Sequence, residues 1–377
     1  MTDPDRNTRR QAGAADTVLT LPGTLRTPHG PGRVNGGPGG VTLGLDIGGT
    51  LVKSALIGPD GTVRYESRCP TRPEDGPEAV LRTVLGHAAG TLAAARDAGE
   101  DVRAAGIASC GLVDEDAGTV VFSASIQWRD LPLRRLASEH LGLPVVLGHD
   151  VRSGGVAEAR LGAGRGHRVV LFVPVGTGVG GALLLDGRPF PGSHWRSAEV
   201  GHVVTRPDGD PCPCGQRGCL DTLAGGAAVA RRYNERRGTL TAVTGAEEVA
   251  KRAAAGDPAA VQVWDEAADA MAHTLLAAIT LFDPAVLVLG GGLSQAGEQL
   301  RAPLRRGLEE RAAFQALPDL VFAQLGERAG RIGAGLLAWD LVPSYEGPVY
   351  EDDPAYEDGP AYEGPAYEGP AFEGVRT

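Results

Sequence analysis

One segment near the start of the chain constrains the fold more than any other. Residues 43–53 read Leu-Gly-Leu-Asp-Ile-Gly-Gly-Thr-Leu-Val-Lys, which predicts two apolar strands joined by a glycine turn. The carboxylate of Asp46 suits a hydrated Mg²⁺, and Gly48 and Gly49 let backbone N–H groups approach phosphate oxygens. Thr50 adds a hydroxyl donor. The alternative is an ordinary glycine-rich turn that follows an acidic residue.

A second glycine-rich segment, residues 176–181, reads Gly-Thr-Gly-Val-Gly-Gly and lies between apolar segments at 169–173 and 182–185. It is therefore predicted to join two strands. A dinucleotide fingerprint needs a helix after its glycines, and a Walker A loop needs Lys followed by Ser or Thr, so both are excluded. Two such hairpins resemble the paired phosphate loops of the sugar kinase/Hsp70/actin superfamily. The resemblance implies an α/β fold of two ribonuclease H-like lobes, with the nucleotide in the cleft between them.

Length and charge exclude several classes of protein. The 377 residues suffice for two domains with sizeable cores. A formal net charge of −11 argues against a general affinity for nucleic acid or anionic membranes. No apolar run approaches the roughly 20 residues that span a bilayer, and the first 40 residues lack the apolar segment of a signal peptide. We therefore expect a cytoplasmic protein that binds neither nucleic acid nor membrane.

The predicted elements divide the chain into two lobes between two tails. Residues 1–40 are rich in Gly, Pro, Arg and Asp, which predicts a disordered arm. The first lobe is expected at 41–148, completed by a helix at 330–341, and the second lobe at 149–329. From 343 to 377 a repeated Gly-Pro-Ala-Tyr-Glu unit predicts a disordered, low-complexity acidic tail. A solvated tail is favoured over an interaction segment.

Apolar periodicity locates the elements inside these lobes. Strands are predicted at 41–47, 51–57, 62–68, 102–109, 144–147, 169–173, 182–185, 285–289 and 320–323. Helices are predicted at 77–98, 131–141, 151–161, 259–281 and 330–341. A hairpin is expected around 116–118, and a further helix is expected to open at 290–294.

A histidine and three cysteines form the clearest metal motif. Residues 212–219 read Cys-Pro-Cys-Gly-Gln-Arg-Gly-Cys and contain three of the five cysteines. Three thiolates and an imidazole form the soft tetrahedral set that favours Zn²⁺. Four protein ligands leave no open position, so a structural zinc is predicted at His202, Cys212, Cys214 and Cys219. The alternative is a loop with three buried free thiols.

Taken together, these motifs resemble the ROK family, named for repressors, open reading frames and sugar kinases. The matches are DxGGT at 46–50, GTGxGG at 176–181, ExGH at 199–202, CxCGxxGC at 212–219 and a GGG adenosine loop at 290–292. A ROK repressor would carry a winged helix-turn-helix before DxGGT. The first 40 residues are too few and too flexible for that domain, so a kinase is favoured.

The resemblance implies an ATP- and Mg²⁺-dependent hexose kinase that phosphorylates the 6-hydroxyl of glucose or a close relative. Asp150 would be the base that takes the proton of the attacking hydroxyl, although its place before a predicted helix also suits an N-cap. Glu199 and His202 match family positions that hydrogen-bond the sugar near its anomeric end. The residues predicted to bind the nucleotide and its metal are Asp46, Gly48, Gly49, Thr50, Lys53, Gly176, Thr177, Gly178, Gly180, Gly291 and Gly292.

Three sugar-side positions depart from the family pattern. Ser125 lies where a sugar-binding Asn is usual, His149 replaces the Asn before the base, and Asp221 is one methylene shorter than the usual Glu. An unmatched buried hydroxyl partner costs about 1–3 kcal/mol, so these changes bear on sugar choice. An N-acetylglucosamine or N-acetylmannosamine kinase and a sugar-binding regulator without turnover remain alternatives. The expected partners are a small sugar and a nucleotide, and a homo-oligomer, dimer or tetramer, is compatible with the sequence.

Overall fold

The computed structural model describes residues 39–238, 242–345 and 347. The predicted arm at 1–40 and tail at 343–377 lie outside this part of the chain, apart from residues 39–40, 343–345 and 347. No helix in the described ranges is long and apolar enough to cross a membrane.

The first sheet is mixed and delivers three strand ends to one edge. It contains β1 (Val41–Ile47), β2 (Leu51–Ile57), β3 (Val63–Pro70), β4 (Val102–Ser109) and β8 (Val145–His149), in the spatial order β3-β2-β1-β4-β8. The first three strands form an antiparallel meander, whereas β4 is parallel to β1 and β8 is parallel to β4. Ile47 pairs with Ser109 and Ser109 with His149. The segments that follow these strands therefore meet at the carboxyl edge of the sheet.

The second sheet repeats this topology. It contains β9 (Val169–Pro174), β10 (Ala182–Leu185), β11 (Arg188–Pro189), β12 (Val286–Gly290) and β13 (Asp319–Phe322), in the order β11-β10-β9-β12-β13. β9, β10 and β11 are antiparallel, and β12 and β13 extend the sheet in parallel from β9. Gly290 pairs with Pro174, so the second and third glycine segments begin at the same edge.

Two helices fill the space between the sheets. Helix α3 (Asp150–Leu161) contacts β9 and β10, α9 (Ala329–Trp339) contacts β1, β2, β4 and β8, and the two helices contact each other. Their apolar side chains join those of both sheets in one buried cluster. The contact between the helices is close: a Cβ at Gly333 would lie 1.7 Å from the Ser153 carbonyl oxygen. Only a residue without a side chain fits there.

The remaining helices cover the outer faces. Helices α1 (Pro77–Asp97) and α2 (Leu133–Leu141) pack on the first sheet. Helices α4 (Asp221–Ala224), α5 (Gly226–Arg237), α6 (Ala246–Ala254), α7 (Pro258–Phe282) and α8 (Glu298–Glu309) build the core of the second lobe. A small antiparallel sheet of β5 (Leu112–Asp114), β6 (Thr119–Ser123) and β7 (Trp128–Leu131) lies between β4 and α2 in the sequence.

The predicted fold class is confirmed, with one local error. The helix expected to open at 290–294 begins only at Glu298, after a 3-10 turn at Gly292–Ala296. Gly291 and Gly297 adopt φ angles of +75° and +57°, and an α-helix cannot run through such residues. The strands β7 and β11 were not predicted, because segments of four and two residues are too short to show periodicity.

Candidate active site

The first glycine loop is held by a threonine outside the motif. The Gly48 N–H donates to the Leu51 carbonyl at 3.0 Å, which closes the turn between β1 and β2. Thr71 is fully buried and donates its hydroxyl to the Gly48 carbonyl at 2.7 Å and its N–H to the Thr50 carbonyl at 2.9 Å. The loop is therefore shaped before any ligand binds. Sequence analysis missed Thr71, because a lone threonine after a strand carries no distinguishing pattern.

Asp46 lies near the end of β1, where a negative charge is costly. Burial and, next, the charge of Asp150 raise its pKa from 3.8 to about 6, and the positive charges of Lys53 and Arg331 oppose this shift. Gly330 leaves room for the carboxylate, because a Cβ there would lie 2.8 Å from Asp46 Oδ2. A divalent cation would relieve the repulsion between the two carboxylates, and Mg²⁺ prefers oxygen ligands. The site therefore fits Mg²⁺, with Asp46 as the protein residue that would hold it.

Lys53 faces a carboxylate from the far end of the chain. It is the cross-strand partner of Asp46, and its Nζ lies 3.2 Å from Glu327 Oε2. Glu327 belongs to the 3-10 turn Gly326–Arg328 that precedes α9. The ion pair therefore joins β2 to the segment that leads back to the first sheet, and nucleotide binding by Lys53 stays a prediction.

Asp150 is the first residue of α3, and the N-cap is His149. The suggestion that Asp150 is the N-cap is therefore wrong, since the N-cap lies one residue earlier. Asp150 Oδ1 accepts a hydrogen bond from the Val151 N–H at 2.8 Å and lies 3.2 Å from His149 Nε2. No side chain or backbone N–H of another described residue donates a hydrogen bond to Oδ2. Burial raises the pKa of Asp150 to about 6 against the opposing charge of Arg152, which leaves a carboxylate that takes up a proton readily near neutral pH.

His149 is a neutral residue that faces Asp150. Burial, and then the positive charge of Arg152, lower its pKa to about 4, while the charges of Glu199 and Glu115 act in the opposite direction. An ionised carboxylate only accepts, so the Nε2 that faces Asp150 is the protonated ring nitrogen. His149 Nδ1 is buried and has no partner within the described part of the chain. His149 thus contacts Asp150, while contact with a sugar remains a prediction.

The second glycine loop packs against the helix that carries Asp150. A Cβ at Gly180 would lie 2.9 Å from a methyl group of Val151, and one at Gly178 would lie 2.6 Å from Asp221 Oδ1. At its other end the loop is held by α5, because the Gly226 N–H donates to the Gly176 carbonyl at 2.9 Å and the Ala227 N–H to the Thr177 carbonyl at 3.1 Å.

The third glycine segment lies beside the second. The Val175 N–H donates to the Gly290 carbonyl at 2.9 Å, and the Leu293 N–H donates to the Val175 carbonyl at 3.0 Å. A Cβ at Gly291 would lie 2.3 Å from the Val175 oxygen, so this position requires glycine. The structure therefore brings the two glycine segments of the second lobe together, with Gly292 in the turn that follows.

Asp221 supports the second glycine loop. Its Oδ1 accepts a hydrogen bond from the Val179 N–H at 2.7 Å, inside that loop. One oxygen of the carboxylate therefore holds the loop, and sugar binding by Asp221 stays a prediction. Ser125 lies next to the first loop: a Cβ at Gly49 would be 3.1 Å from Ser125 Cβ, and Ser125 Oγ is 3.3 Å from Cys110 Sγ.

Glu199 precedes the 3-10 turn Val200–His202, and this segment lies against the second glycine loop. A Cβ at Gly201 would lie 2.0 Å from the Val179 oxygen, and one at Gly181 would lie 2.0 Å from the Ala198 oxygen. The two glycines therefore allow the backbones to touch. The charge of Glu199 also raises the pKa of His149, so Glu199 lies close enough to act on the residue before Asp150.

The four predicted zinc ligands converge. The ligand atoms of His202, Cys212, Cys214 and Cys219 all lie within 4.8 Å of one another. Cys214 Sγ is 3.7 Å from Cys219 Sγ, and Cys212 Sγ is 3.6 Å from His202 Nδ1. A tetrahedron with Zn–S of about 2.3 Å and Zn–N of about 2.0–2.1 Å has edges of about 3.8 and 3.6 Å. These distances fit Zn²⁺, which would be bound through Nδ1 of His202 and would leave Nε2 for another contact.

Sequence analysis missed three further residues around Asp150. Cys110 follows β4, and its raised pKa has burial as its main cause, with the charges of Asp150 and Asp46 as smaller ones. Glu115 and Arg152 form an ion pair of 2.8 Å at the start of α3. The three residues come from different segments of the chain, and no short sequence motif contains two of them. The sequence therefore gives no sign that they lie together.

Comparison with known proteins agrees with this geometry. The ROK family model matches residues 42–340. The glucokinase of Streptomyces coelicolor is 32% identical over 317 residues, which cover 79% of this chain and 98% of the relative. An N-acetylgalactosamine kinase of Shewanella sp. is 33% identical over 309 residues, which cover 79% and 96%. The structure of a ROK family glucokinase from Streptomyces griseus in complex with glucose and AMPPNP superposes with a TM-score of 0.68 at 32% identity, over 80% of this chain and 100% of that one. The chain therefore belongs to the ROK family.

Proposed function

We propose that this sugar kinase transfers the γ-phosphoryl group of ATP to the 6-hydroxyl of glucose or a close relative, with Asp150 as general base. The position of Asp150 carries the proposal. Its carboxylate interacts with Asp46 at the end of β1, and its neighbour Val151 touches Gly180 of the second loop. A base between two loops suited to phosphate is what in-line phosphoryl transfer requires.

The free oxygen of Asp150 suits the proton transfer. Oδ1 faces Val151 N–H and His149 Nε2, so Oδ2 is the oxygen that would accept the proton of the attacking hydroxyl. With a pKa of about 6, about nine in ten Asp150 side chains are ionised at pH 7 and still bind a proton more strongly than an exposed aspartate. Asp46 would hold Mg²⁺, and the bound ion would supply positive charge to neutralise the transferring phosphoryl group.

The sugar would lie between the base and the zinc loop. The charge of Glu199 acts on His149, and Nδ1 of His202 is directed at the cysteine thiols. A zinc ion at this place would fix the imidazole so that Nε2 can donate to a sugar hydroxyl. Ser125 approaches from the first lobe, beside Gly49. The sugar would therefore contact groups from both lobes.

An N-acetylhexosamine is the second candidate substrate. The relative from Shewanella sp., an N-acetylgalactosamine kinase, is 33% identical to this chain, against 32% for the glucokinase from Streptomyces coelicolor. In addition, Ser125 and His149 differ from the usual asparagines in hydrogen-bonding groups. These observations leave the kinase chemistry unchanged and concern only the groups that contact the sugar ring.

A panel assay tests the proposal. ADP release is measured with ATP, Mg²⁺ and each of several hexoses and N-acetylhexosamines, and the phosphorylated product is identified by mass and NMR. We expect glucose 6-phosphate as a product, with activity lost in Asp150→Asn. Higher kcat/KM on an N-acetylhexosamine would favour the second candidate. No turnover on any member of the panel, by protein that binds ATP, would reject both.

A further inference from the structure

A buried ion pair links the start of α3, which carries Asp150, to the loop at residues 190–199, called the Glu199 loop below. Glu115 lies just after β5, in the hairpin of the small sheet, and its Oε1 accepts hydrogen bonds from the His149 N–H at 2.9 Å and from Arg152 Nε at 2.8 Å. Arg152 Nη1 donates to the Trp195 carbonyl at 3.1 Å. Glu115 and Trp195 therefore both bind the segment around Asp150, through His149 on one side and Arg152 on the other.

The burial of this pair makes it more than a surface ion pair. The side chains of Arg152 and Glu115 are 2% and 15% exposed. Charges removed from water to this extent are costly to leave unpaired, so loss of either partner should disturb the other. Arg152 Nη2 is buried and unpaired within the described residues, which leaves this guanidinium dependent on Glu115 and Trp195.

The loop that receives the Arg152 hydrogen bond is conformationally strained. Trp195 and Ala198 both adopt a φ of +58°, in the left-handed region that residues with a side chain rarely occupy. Such conformations persist when surrounding contacts determine them. The hydrogen bond from Arg152 to the Trp195 carbonyl is one of these contacts, and the same loop ends at Glu199, which faces His149.

We propose that Glu115 and Arg152 are positioning residues that hold Asp150 and the Glu199 loop in the relative position that phosphoryl transfer requires. This inference rests on the proposed kinase function. Glu115 fixes the strand–helix junction through the His149 N–H, and Arg152 transmits that position to the loop through Trp195. Neither residue needs to touch the sugar. Misplacement of the base or the loop by about 1 Å is enough to slow transfer by roughly 100-fold.

The experiment compares Glu115→Gln, Arg152→Met and their double variant in the full chain. We expect kcat to fall by roughly 10- to 100-fold and the KM for sugar to rise, with little change in the KM for ATP. The double variant should be no worse than the poorer single variant, because the two residues act as a unit. Arg152→Lys should restore only part of the rate, since Lys lacks the planar fork. Glu139→Gln is the matched control, because Glu139 pairs with Arg135 on α2 and is 60% exposed.

Amide hydrogen exchange gives a readout that does not need turnover. Exchange over residues 190–199 should accelerate in Glu115→Gln and in Arg152→Met and stay unchanged in Glu139→Gln. Folded variants with unchanged kcat and unchanged exchange would overturn the positioning role. If the unmodified chain phosphorylates no sugar, the proposed function fails on that result alone, and the exchange data still decide whether the pair holds the loop.

Discussion

Replacement of Asp150 by asparagine should separate catalysis from stability. Asparagine keeps an oxygen that can accept the Val151 N–H bond but cannot take up the proton of the acceptor hydroxyl. Loss of a general base costs roughly 10²–10⁴ in kcat, which corresponds to about 3–5 kcal/mol in the activation barrier. Sugar binding should stay within a few-fold, because the amide can still hydrogen-bond the acceptor hydroxyl.

The same variant should be at least as stable as the parent at pH 7. A carboxyl with a raised folded-state pKa stabilises the fold most below its unfolded pKa, and that contribution is lost as the pH rises through about 6. A shift from 3.8 to about 6 sets an upper limit of about 3 kcal/mol. Because the Asp150 side chain is 35% exposed, we expect about 1 kcal/mol, or about 2 °C in Tm.

Three measurements check this prediction: steady-state kinetics from pH 5 to 8, sugar affinity by calorimetry, and Tm over the same pH range. In the parent, kcat should fall below about pH 6 as Asp150 becomes protonated, and the stability advantage of Asp150→Asn should disappear below about pH 4. Asp101→Asn is the control, because Asp101 is 70% exposed beside Arg103. Near-normal turnover in Asp150→Asn would refute its role as base, and a lower Tm at pH 7 would refute the electrostatic argument.

Three further predictions concern the parts around the base. Gly330→Ala should place a methyl group against the Asp46 carboxylate and lower activity by at least tenfold. Its control is Gly86→Ala, which has open space around the new Cβ and should leave stability unchanged or raise it by about 0.5–1 kcal/mol. Protein purified without added metal should contain one zinc per chain by elemental analysis, and zinc-free protein with full activity would contradict the structural role of the cysteine cluster. Finally, a triple variant with the usual family residues, Ser125→Asn, His149→Asn and Asp221→Glu, should shift kcat/KM toward glucose. An unchanged ranking of sugars would show that these positions do not select the substrate.

The sequence alone determined the local parts of this protein. Residues 43–53 and 176–181 identified two glycine hairpins, because apolar alternation and glycine act over a few residues. The spacing of the cysteines after His202 predicted the four-residue cluster for the same reason, since three of its members lie within one loop. The family motifs then indicated Asp150 as the candidate base. Strand and helix boundaries agree with the structure to within about two residues wherever the periodic pattern is long.

Only the tertiary structure decided how these parts act on one another. The raised pKa of Asp46 could not be predicted from its sequence neighbours, because it depends on the strand order β1-β4-β8, which brings Asp150 to the same sheet edge. Asp221 matches a sugar-binding position by sequence, yet one of its oxygens holds the second glycine loop. Glu115 and Arg152 lie 37 residues apart and share no motif. The environment of each group is set by strand order and helix packing, and those arise from contacts between residues that no local pattern connects.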